Sequence, residues 1–191
     1  MSALATRVHA PEPSHVRLGV LLFIVSEVML FGGFFAAYFA LRSASATWPP
    51  TPETLRPELP LVAFNTLLLL ASSFTLQLGV GAVRRDDRRG AARLIALTLA
   101  LGAAFLAIQV FEFSSNGFGI GDGVFGSTFY TLTGFHGAHV AAGLLAIGAL
   151  LRRARRGLLG PESEPAVEAI SYYWHFVDVV WIVLFTTVYV L

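Results

Sequence analysis

The chain alternates between long apolar runs and short polar connectors, and this pattern predicts its architecture. Five runs carry almost no charge, and they cover residues 16–41, 61–83, 94–113, 127–151 and 169–191. Each run holds about 20 residues or more, and a helix of that length crosses the ~30 Å hydrocarbon core of a bilayer. The pattern therefore predicts an all-α protein, an integral membrane bundle of five transmembrane helices.

The connectors divide into loops and turns. Residues 42–60 hold five prolines, which stop a helix, and residues 114–126 hold five glycines, which are typical of a flexible loop. Residues 84–93 and 152–168 are charged turns. We expect residues 1–15 to be a polar N-terminal tail and residues 16–191 to form a single domain without internal repeats.

The first apolar run has an alternative interpretation as a secretory signal, because residues 44–46 (Ala-Ser-Ala) resemble a cleavage site. The apolar part of such a signal spans only ~7–15 residues. This run is longer and carries Glu27 near its middle, which is typical of a helix packed in a bundle. We therefore expect the run to be retained as the first membrane span.

Composition agrees with a membrane location and excludes several kinds of site. Of 191 residues, 55% are hydrophobic and 13% are charged, against roughly 25% charged in soluble domains. The absence of cysteine excludes disulfides, thiolate metal sites and a cysteine nucleophile. The sequence has no nucleotide fingerprint and no basic patch with interleaved aromatic residues, so we expect no nucleic-acid partner.

The arginines predict the orientation of the bundle. All 13 basic residues are arginine. Eleven would lie on one side of the membrane, namely Arg7, Arg17, the five of residues 84–93 and the four of residues 152–156, and two (Arg42 and Arg56) on the other. The positive-inside rule then places the N-terminus in the cytoplasm and the C-terminus outside.

Six ionisable side chains fall inside the apolar runs, where charge is costly and often functional. They are Glu27, Glu112, His136, His139, His175 and Asp178. On a helix, His136 and His139 share one face, as do His175 and Asp178. A His-x-x-His pair can chelate a metal, whereas hydrogen bonding between helices is the usual role of such groups.

The predicted depths argue against one shared ion. Glu112 falls at the outer end of its span, and His175 and Asp178 fall near the inner end of theirs. We therefore expect no metal in this chain. Glu27, near mid-membrane, has two open interpretations: a protonated carboxyl bonded to a neighbouring helix, or a proton-relay or effector site.

Small and aromatic residues predict how the helices pack. Small residues recur every four positions on the first span (Gly32, Ala36) and on the fourth span (Gly134, Ala138, Ala142). Such stripes predict close contact between helices. Tyr172, Tyr173 and Trp174 begin the last span as an expected interfacial belt.

Five stretches, which together touch every span, resemble signature stretches of subunit III of heme–copper terminal oxidases. In chain order they are SEVMLFGGFFAAYF (26–39), NTLLLLASSFTLQLG (65–79), QVFEF (109–113), FYTLTGFHGAHVAAG (129–143) and YWHFVDVVWIVLF (173–185). The last two are the most specific. The resemblance extends from Arg17 to the C-terminus.

The resemblance implies a non-catalytic subunit of a bacterial cytochrome c oxidase in the plasma membrane. Such a subunit packs beside subunit I, joins a complex that also holds subunit II, and carries neither heme nor copper. It binds phospholipid, maintains proton uptake and protects the active site during turnover. Glu27 matches the family's mid-membrane carboxylate, known for its reactivity with carbodiimide.

The chain departs from the long family form, which has seven spans, because it lacks the first two. It resembles the short bacterial form, in which one wall of the lipid cleft would come from another chain. A subunit of a quinol oxidase or a homologue associated with nitric oxide reductase is an alternative. Alternatives of other classes are a metal-binding membrane protein and a stand-alone proton or ion transporter, which should show repeats or broken helices.

Overall fold

The computed structural model describes residues 15–48 and 59–191, which form five long helices and no strand. The helices are α1 (His15–Ala44), α2 (Leu59–Arg84), α3 (Arg88–Ser115), α4 (Gly123–Arg155) and α5 (Glu164–Leu184). A short 3-10 helix at Pro161–Ser163 precedes α5, and a π-helical segment at Phe185–Val190 continues it. All five helices are long and apolar enough to cross a membrane, which confirms the predicted fold class.

The helices extend beyond the apolar runs, and for the third helix a side-chain cap sets the start. The third helix begins at Arg88, where the Asp87 carboxylate accepts a 2.9 Å hydrogen bond from the amide of Gly90. This bond satisfies one of the free N–H groups at the helix start. Residues 1–14 of the predicted tail and residues 49–58 of the proline-rich loop lie outside the described part of the chain.

Helices α2 to α5 form a ring of four. A tight turn through Asp86, with φ of 55°, joins α2 to α3 as an antiparallel pair. The ring continues from α3 to α4, from α4 to α5, and from α5 back to α2. Helix α1 lies against the outside of this ring, mainly on α5 and to a smaller extent on α4.

Two tryptophans of α5 fill the centre of the ring. Trp174 is fully buried, and its indole donates a 2.9 Å hydrogen bond to the Ser72 hydroxyl of α2. It lies across Gly102 of α3 and Gly143 of α4, where an added Cβ would come within 3 Å of the indole. The prediction that Trp174 belongs to an interfacial belt is therefore wrong, because two glycines open a space for it in the core.

The small-residue stripes do not lie at contacts between helices of this chain. A Cβ added at Gly32 or Gly134 would meet no described atom within 4 Å, and Ala36, Ala138 and Ala142 are exposed. Within the described chain these residues face away from the other helices, and close helix contact along them stays a prediction. The side of α4 that faces the ring instead carries larger residues and Gly143.

Candidate functional site

Glu27 and His139 form the polar contact between α1 and α4. Glu27 Oε2 lies 2.9 Å from His139 Nε2. The exposed fraction is 15% for the Glu27 side chain and 16% for the His139 side chain. The rings of Phe31 and Tyr173 enclose the pair: Phe31 packs edge-on against the imidazole, and the Tyr173 hydroxyl donates to the His139 carbonyl oxygen at 3.0 Å. A carboxyl and an imidazole are thus held together inside the membrane-spanning region.

The geometry fixes the number of protons that the pair shares. His139 Nδ1 lies 2.7 Å from the carbonyl oxygen of Phe135, which only accepts hydrogen bonds, so Nδ1 carries a hydrogen. Nε2 then either accepts from a protonated Glu27 or donates to its carboxylate. In both states one proton lies between the two residues and the pair has no net charge, which suits an apolar environment.

His175 and Asp178 make a second polar site, between α5 and α2. The Asp178 carboxylate accepts a hydrogen bond from the Ser73 hydroxyl and lies 3.7 Å from His175 Nδ1. His175 Nε2 is 3.3 Å from the Gln77 amide oxygen, which also accepts from Ser171 at 3.3 Å. The pair therefore bonds to polar groups of an adjacent helix, while His136 and His139 take no part in this network.

This second site extends to the surface of the bundle. Asp178 is buried, whereas 40% of the His175 side chain is exposed and Gln77 is also exposed. Gln77 is seven residues from Arg84, which is about 10 Å along a helix. Exposed polar groups at such a depth are unfavourable in lipid and favourable against another protein.

His136 lies in the interior of the ring, away from both sites. Its side chain is fully buried, packed at a tilt against the Trp181 indole with ring centres 4.9 Å apart and edge-on to Phe105 at 6.0 Å. The Trp181 indole donates to the Thr66 hydroxyl at 2.9 Å. His136 is therefore not paired with its helix neighbour His139, which turns toward α1.

Glu112 is buried near the end of α3, beside the hydroxyl of Tyr189 in the π-helical segment. The structure thus separates the six ionisable side chains into two pairs and two isolated groups. In the described ranges 15–48 and 59–191, no three histidine, aspartate or glutamate side chains come together in a way that could hold a metal ion.

A cluster of ion pairs ties α1, α2 and α5 together at the end of the bundle where α2 stops. Arg17 of α1 lies 2.7 Å from a Glu168 oxygen, and Arg84 of α2 lies 2.8 Å from the other. Arg84 also contacts Glu164 at 2.9 Å. Sequence reasoning interpreted the arginines first as topology signals and did not predict this contact. The acidic pair Glu164 and Glu168, spaced i, i+4 on α5, is the signal that would have revealed their contact.

Sequence reasoning also missed the partners that complete the second site. Ser73 and Gln77 share one face of α2 by their spacing of four. The chain gives no local sign that this face meets Asp178 and His175, since the contact joins residues about 100 positions apart. Position in the fold, not residue type, makes them functional candidates.

Comparison with known proteins identifies similar chains over nearly the full length. The family model described as cytochrome c oxidase subunit III matches residues 7–191. The cytochrome c oxidase subunit 3 of Thermostichus vulcanus is 44% identical over 185 residues, covering 96% of this chain and 91% of the relative. The probable cytochrome c oxidase subunit 3 of Nocardia farcinica is 44% identical over 193 residues, covering 98% of this chain and 94% of the relative.

Proposed function

Since this chain belongs to the cytochrome c oxidase subunit III family, we propose that it supports oxygen reduction and proton pumping as a non-catalytic subunit that stabilises the catalytic subunit, binds lipid and maintains proton uptake. As a member, it is a subunit of the cytochrome c oxidase complex, an oxidoreductase. The observation that carries the finer proposal is the division of its polar groups into a paired internal site and an exposed one.

The exposed polar groups support docking on subunit I. His175 and Gln77 project from α5 and α2 within the membrane-spanning region, where lipid tails offer no hydrogen bonds. A neighbouring protein helix with polar side chains would satisfy them. We infer that this face of α2 and α5 lies against subunit I, with subunit II elsewhere in the complex.

A groove beside α4 and α5 supports the binding of phospholipid. One part, about 370 Å³, is lined by apolar side chains of α1, α4 and α5, including Phe23 and Tyr173. An adjoining part of about 340 Å³ shares Ala146, Ala166 and Ile170 with it and reaches Arg153. An acyl chain in the apolar part would place a lipid phosphate near the Arg153 guanidinium, a strong donor to phosphate.

The lipid proposal is tested by substituting Arg153. In the purified oxidase, Arg153→Ala should lower the amount of anionic phospholipid retained per complex, measured by mass spectrometry of extracted lipid. Arg155→Ala is the matched control, because it removes the same charge from the same helix end but Arg155 does not line the groove. Equal lipid retention in the two variants would contradict the assignment.

The Glu27–His139 pair supports a role in sustained turnover. It lies next to the groove, since Tyr173 both lines the groove and donates to the His139 carbonyl oxygen. Loss of the pair would loosen α1 from α4 and open the groove. The pair binds no heme, because heme and copper belong to partner subunits in this proposal.

Co-purification tests the function as a whole. A tagged chain, solubilised gently from membranes, should bring down a heme-containing oxidase, and the isolated chain should show no visible absorbance. A chain that purifies without a heme partner, or that holds stoichiometric metal by itself, would favour a transporter or a metal-binding protein. The names of the relatives favour cytochrome c over quinol as the electron donor of the complex.

The proposed location is the bacterial plasma membrane, with the N-terminus of the chain in the cytoplasm. The arginine distribution supports this orientation, as does the position of the Arg17, Arg84, Glu164 and Glu168 cluster at the arginine-rich end. Labelling of single cysteines introduced at residues 86 and 121, which lie in loops at opposite ends of the bundle, would test it, because the cysteine-free chain has no background.

A further inference from the structure

Four buried side chains between the α3–α4 loop and the middle of the ring carry polar atoms that find no hydrogen-bond partner in the described chain. They are Asn65 (Oδ1), Gln109 (Oε1), Glu112 (Oε1) and His136 (both ring nitrogens), here called the unpaired cluster. Their exposed fractions are 1%, 1%, 4% and 0%, so neither bulk water nor lipid headgroups reach them. Protein interiors leave few such groups unpaired and often satisfy them with buried water.

In both amides the unpaired atom is the oxygen. The hydrogen bonds made by the amide nitrogens fix this assignment of N and O. The Gln109 Nε2 group donates to the carbonyl oxygen of Thr133 at 3.3 Å, and the Asn65 Nδ2 group donates to that of Phe105 at 3.1 Å. Flipping either amide would place two acceptor oxygens against each other. Gln109 Oε1 and Asn65 Oδ1 are therefore acceptors in need of donors.

The members of the unpaired cluster lie close together. The Phe105 carbonyl that binds Asn65 is also the helical partner of the Gln109 amide, which places Asn65 beside that turn of α3. Gln109 Oε1 would be 3.3 Å from a Cβ at Gly137, the neighbour of His136 on α4. Glu112 is three residues after Gln109, on the same face of α3.

The unpaired cluster needs more donors than this chain provides. The Tyr189 hydroxyl, which lies beside Glu112 and is itself buried and unpaired, adds one donor. A neutral imidazole offers one N–H and one acceptor nitrogen, so the acceptors outnumber the donors. Each water molecule supplies two donors and accepts as well, and a buried site with two to four polar partners is where water binds. A cation would need several hard ligands, and no metal-holding group of His, Asp and Glu occurs within the described ranges.

We propose that the unpaired cluster binds internal water, with at least one molecule bridging a ring nitrogen of His136 to Gln109 Oε1 and with the hydrogen bonds extending to Asn65 and Glu112. This water fixes the His136 ring against Trp181. It is part of the fold of the subunit and is independent of lipid or partner binding.

Radiolytic footprinting of the intact oxidase tests the proposal, because hydroxyl radicals formed from bound water modify the side chains next to it. Trp181, which packs against the His136 ring, should be modified several-fold faster than Trp174. The two indoles are equally buried, at 0% exposed, and each donates a 2.9 Å hydrogen bond to a hydroxyl of α2. They differ in that only Trp181 adjoins the unpaired cluster, so Trp174 is an internal reference. Equal modification rates would overturn the proposal.

Two variants identify the side chains that hold the water. In Gln109→Leu the Trp181 rate should fall to that of Trp174, because the bridging acceptor is gone. Thr98→Val is the matched control: it removes another buried polar group of α3, but one whose hydroxyl already donates to the Leu94 carbonyl oxygen at 3.0 Å. It should leave the Trp181 rate unchanged, and a fall of equal size in both variants would overturn the assignment.

A structural measurement keeps the proposal testable if Gln109→Leu fails to assemble. Cryo-electron microscopy of the wild-type oxidase, at a resolution that shows ordered water, should reveal density within hydrogen-bond distance of both Gln109 Oε1 and His136. A His136 ring whose nitrogens contact only carbon atoms would overturn it.

Discussion

Helix α1 and the four-helix ring are held in place by different forces. Within the most apolar window of α1 only 6% of residues are buried, against 44% for the span that contains α5. The ring is held by packed side chains, with Trp174 and Trp181 at its centre. The outer helix buries fewer side chains, chiefly Phe31 and Tyr38, and relies in addition on polar groups spaced along its length.

The polar contacts of α1 occur at three levels. Arg17 pairs with Glu168 at one end, Glu27 with His139 in the middle, and the Tyr38 hydroxyl donates to the Thr187 carbonyl oxygen at the other end at 3.0 Å. Lipid tails are as apolar as leucine, so burial of apolar side chains gives little drive for helix association in a bilayer. Close packing therefore decides the stability of the ring, whereas the position of α1 is decided by polar contacts together with the packing of Phe31 and Tyr38.

The largest expected effect comes from the packing of the ring. Gly143→Ala places a Cβ about 2.6 Å from the Trp174 indole, which also lies against Gly102 and has little room to move. Overpacking of this kind costs about 1–3 kcal/mol. We expect a lower unfolding temperature of the subunit and a lower yield of assembled oxidase, measured by thermal denaturation and by heme content after purification.

Gly148→Ala is the matched control on the same helix. A Cβ at Gly148 meets no described atom within 4 Å, so the substitution should be neutral or stabilise α4 by up to ~1 kcal/mol through helix propensity. If the two alanine variants have equal stability, then the close contact of Trp174 with α4 is not what holds the ring together.

The sequence predicted the number of helices better than it predicted the contacts between them. Five apolar runs of bilayer length are a local property, and so the number of helices could be predicted. Whether Gly134 or Gly143 faces a neighbour depends on how α4 is rotated, and a repeat of small residues does not fix that rotation. The stripe from Gly134 to Ala142 lies on the outward side of α4, while Gly143 receives the indole.

The site residues show the same limit. Ionisable side chains are energetically unfavourable inside a membrane, and for this reason the sequence predicted Glu27, His139 and Asp178 as candidate site residues. Their partners could not be predicted, because His136 and His139, three residues apart, point to different helices: one into the ring and one toward α1. A helix face that is about 100° wide can serve two neighbours at once, so spacing alone could not separate the two roles.

A smaller effect is expected for the middle contact of α1. Glu27→Ala removes the hydrogen bond to His139 Nε2, and bonds between membrane helices contribute about 0.6–1.7 kcal/mol. Heme content and single-turnover oxygen reduction should be unchanged, because the ring remains intact. Activity should decline faster during sustained turnover, or the retained lipid should change, which activity traces and lipid analysis would measure.

Ser26→Ala is the control for this prediction. Ser26 neighbours Glu27, but its hydroxyl donates only within α1, to the Phe23 carbonyl oxygen at 2.6 Å. It should behave as wild type in every assay. Complete loss of single-turnover oxygen reduction in Glu27→Ala would show instead that the pair acts in the chemistry itself. The contacts of α1 would then serve catalysis and not only the position of this helix.

The smallest effect is expected at the charged end of α1, where the contact is partly open to water. The Arg17 side chain is 36% exposed, so the loss of its ion pairs in Arg17→Gln should cost only about 0.2–1 kcal/mol. Salt screens exposed charges, so the difference from wild type should shrink as ionic strength rises. Arg89→Gln, which removes an arginine charge from the start of α3 at the same end of the bundle, serves as the control. Thermal denaturation of the purified oxidase at low and high salt measures both variants. A loss in Arg17→Gln that does not depend on salt would mean that the aliphatic part of this arginine packs α1 onto α5, and α1 would then be held by the same force as the ring.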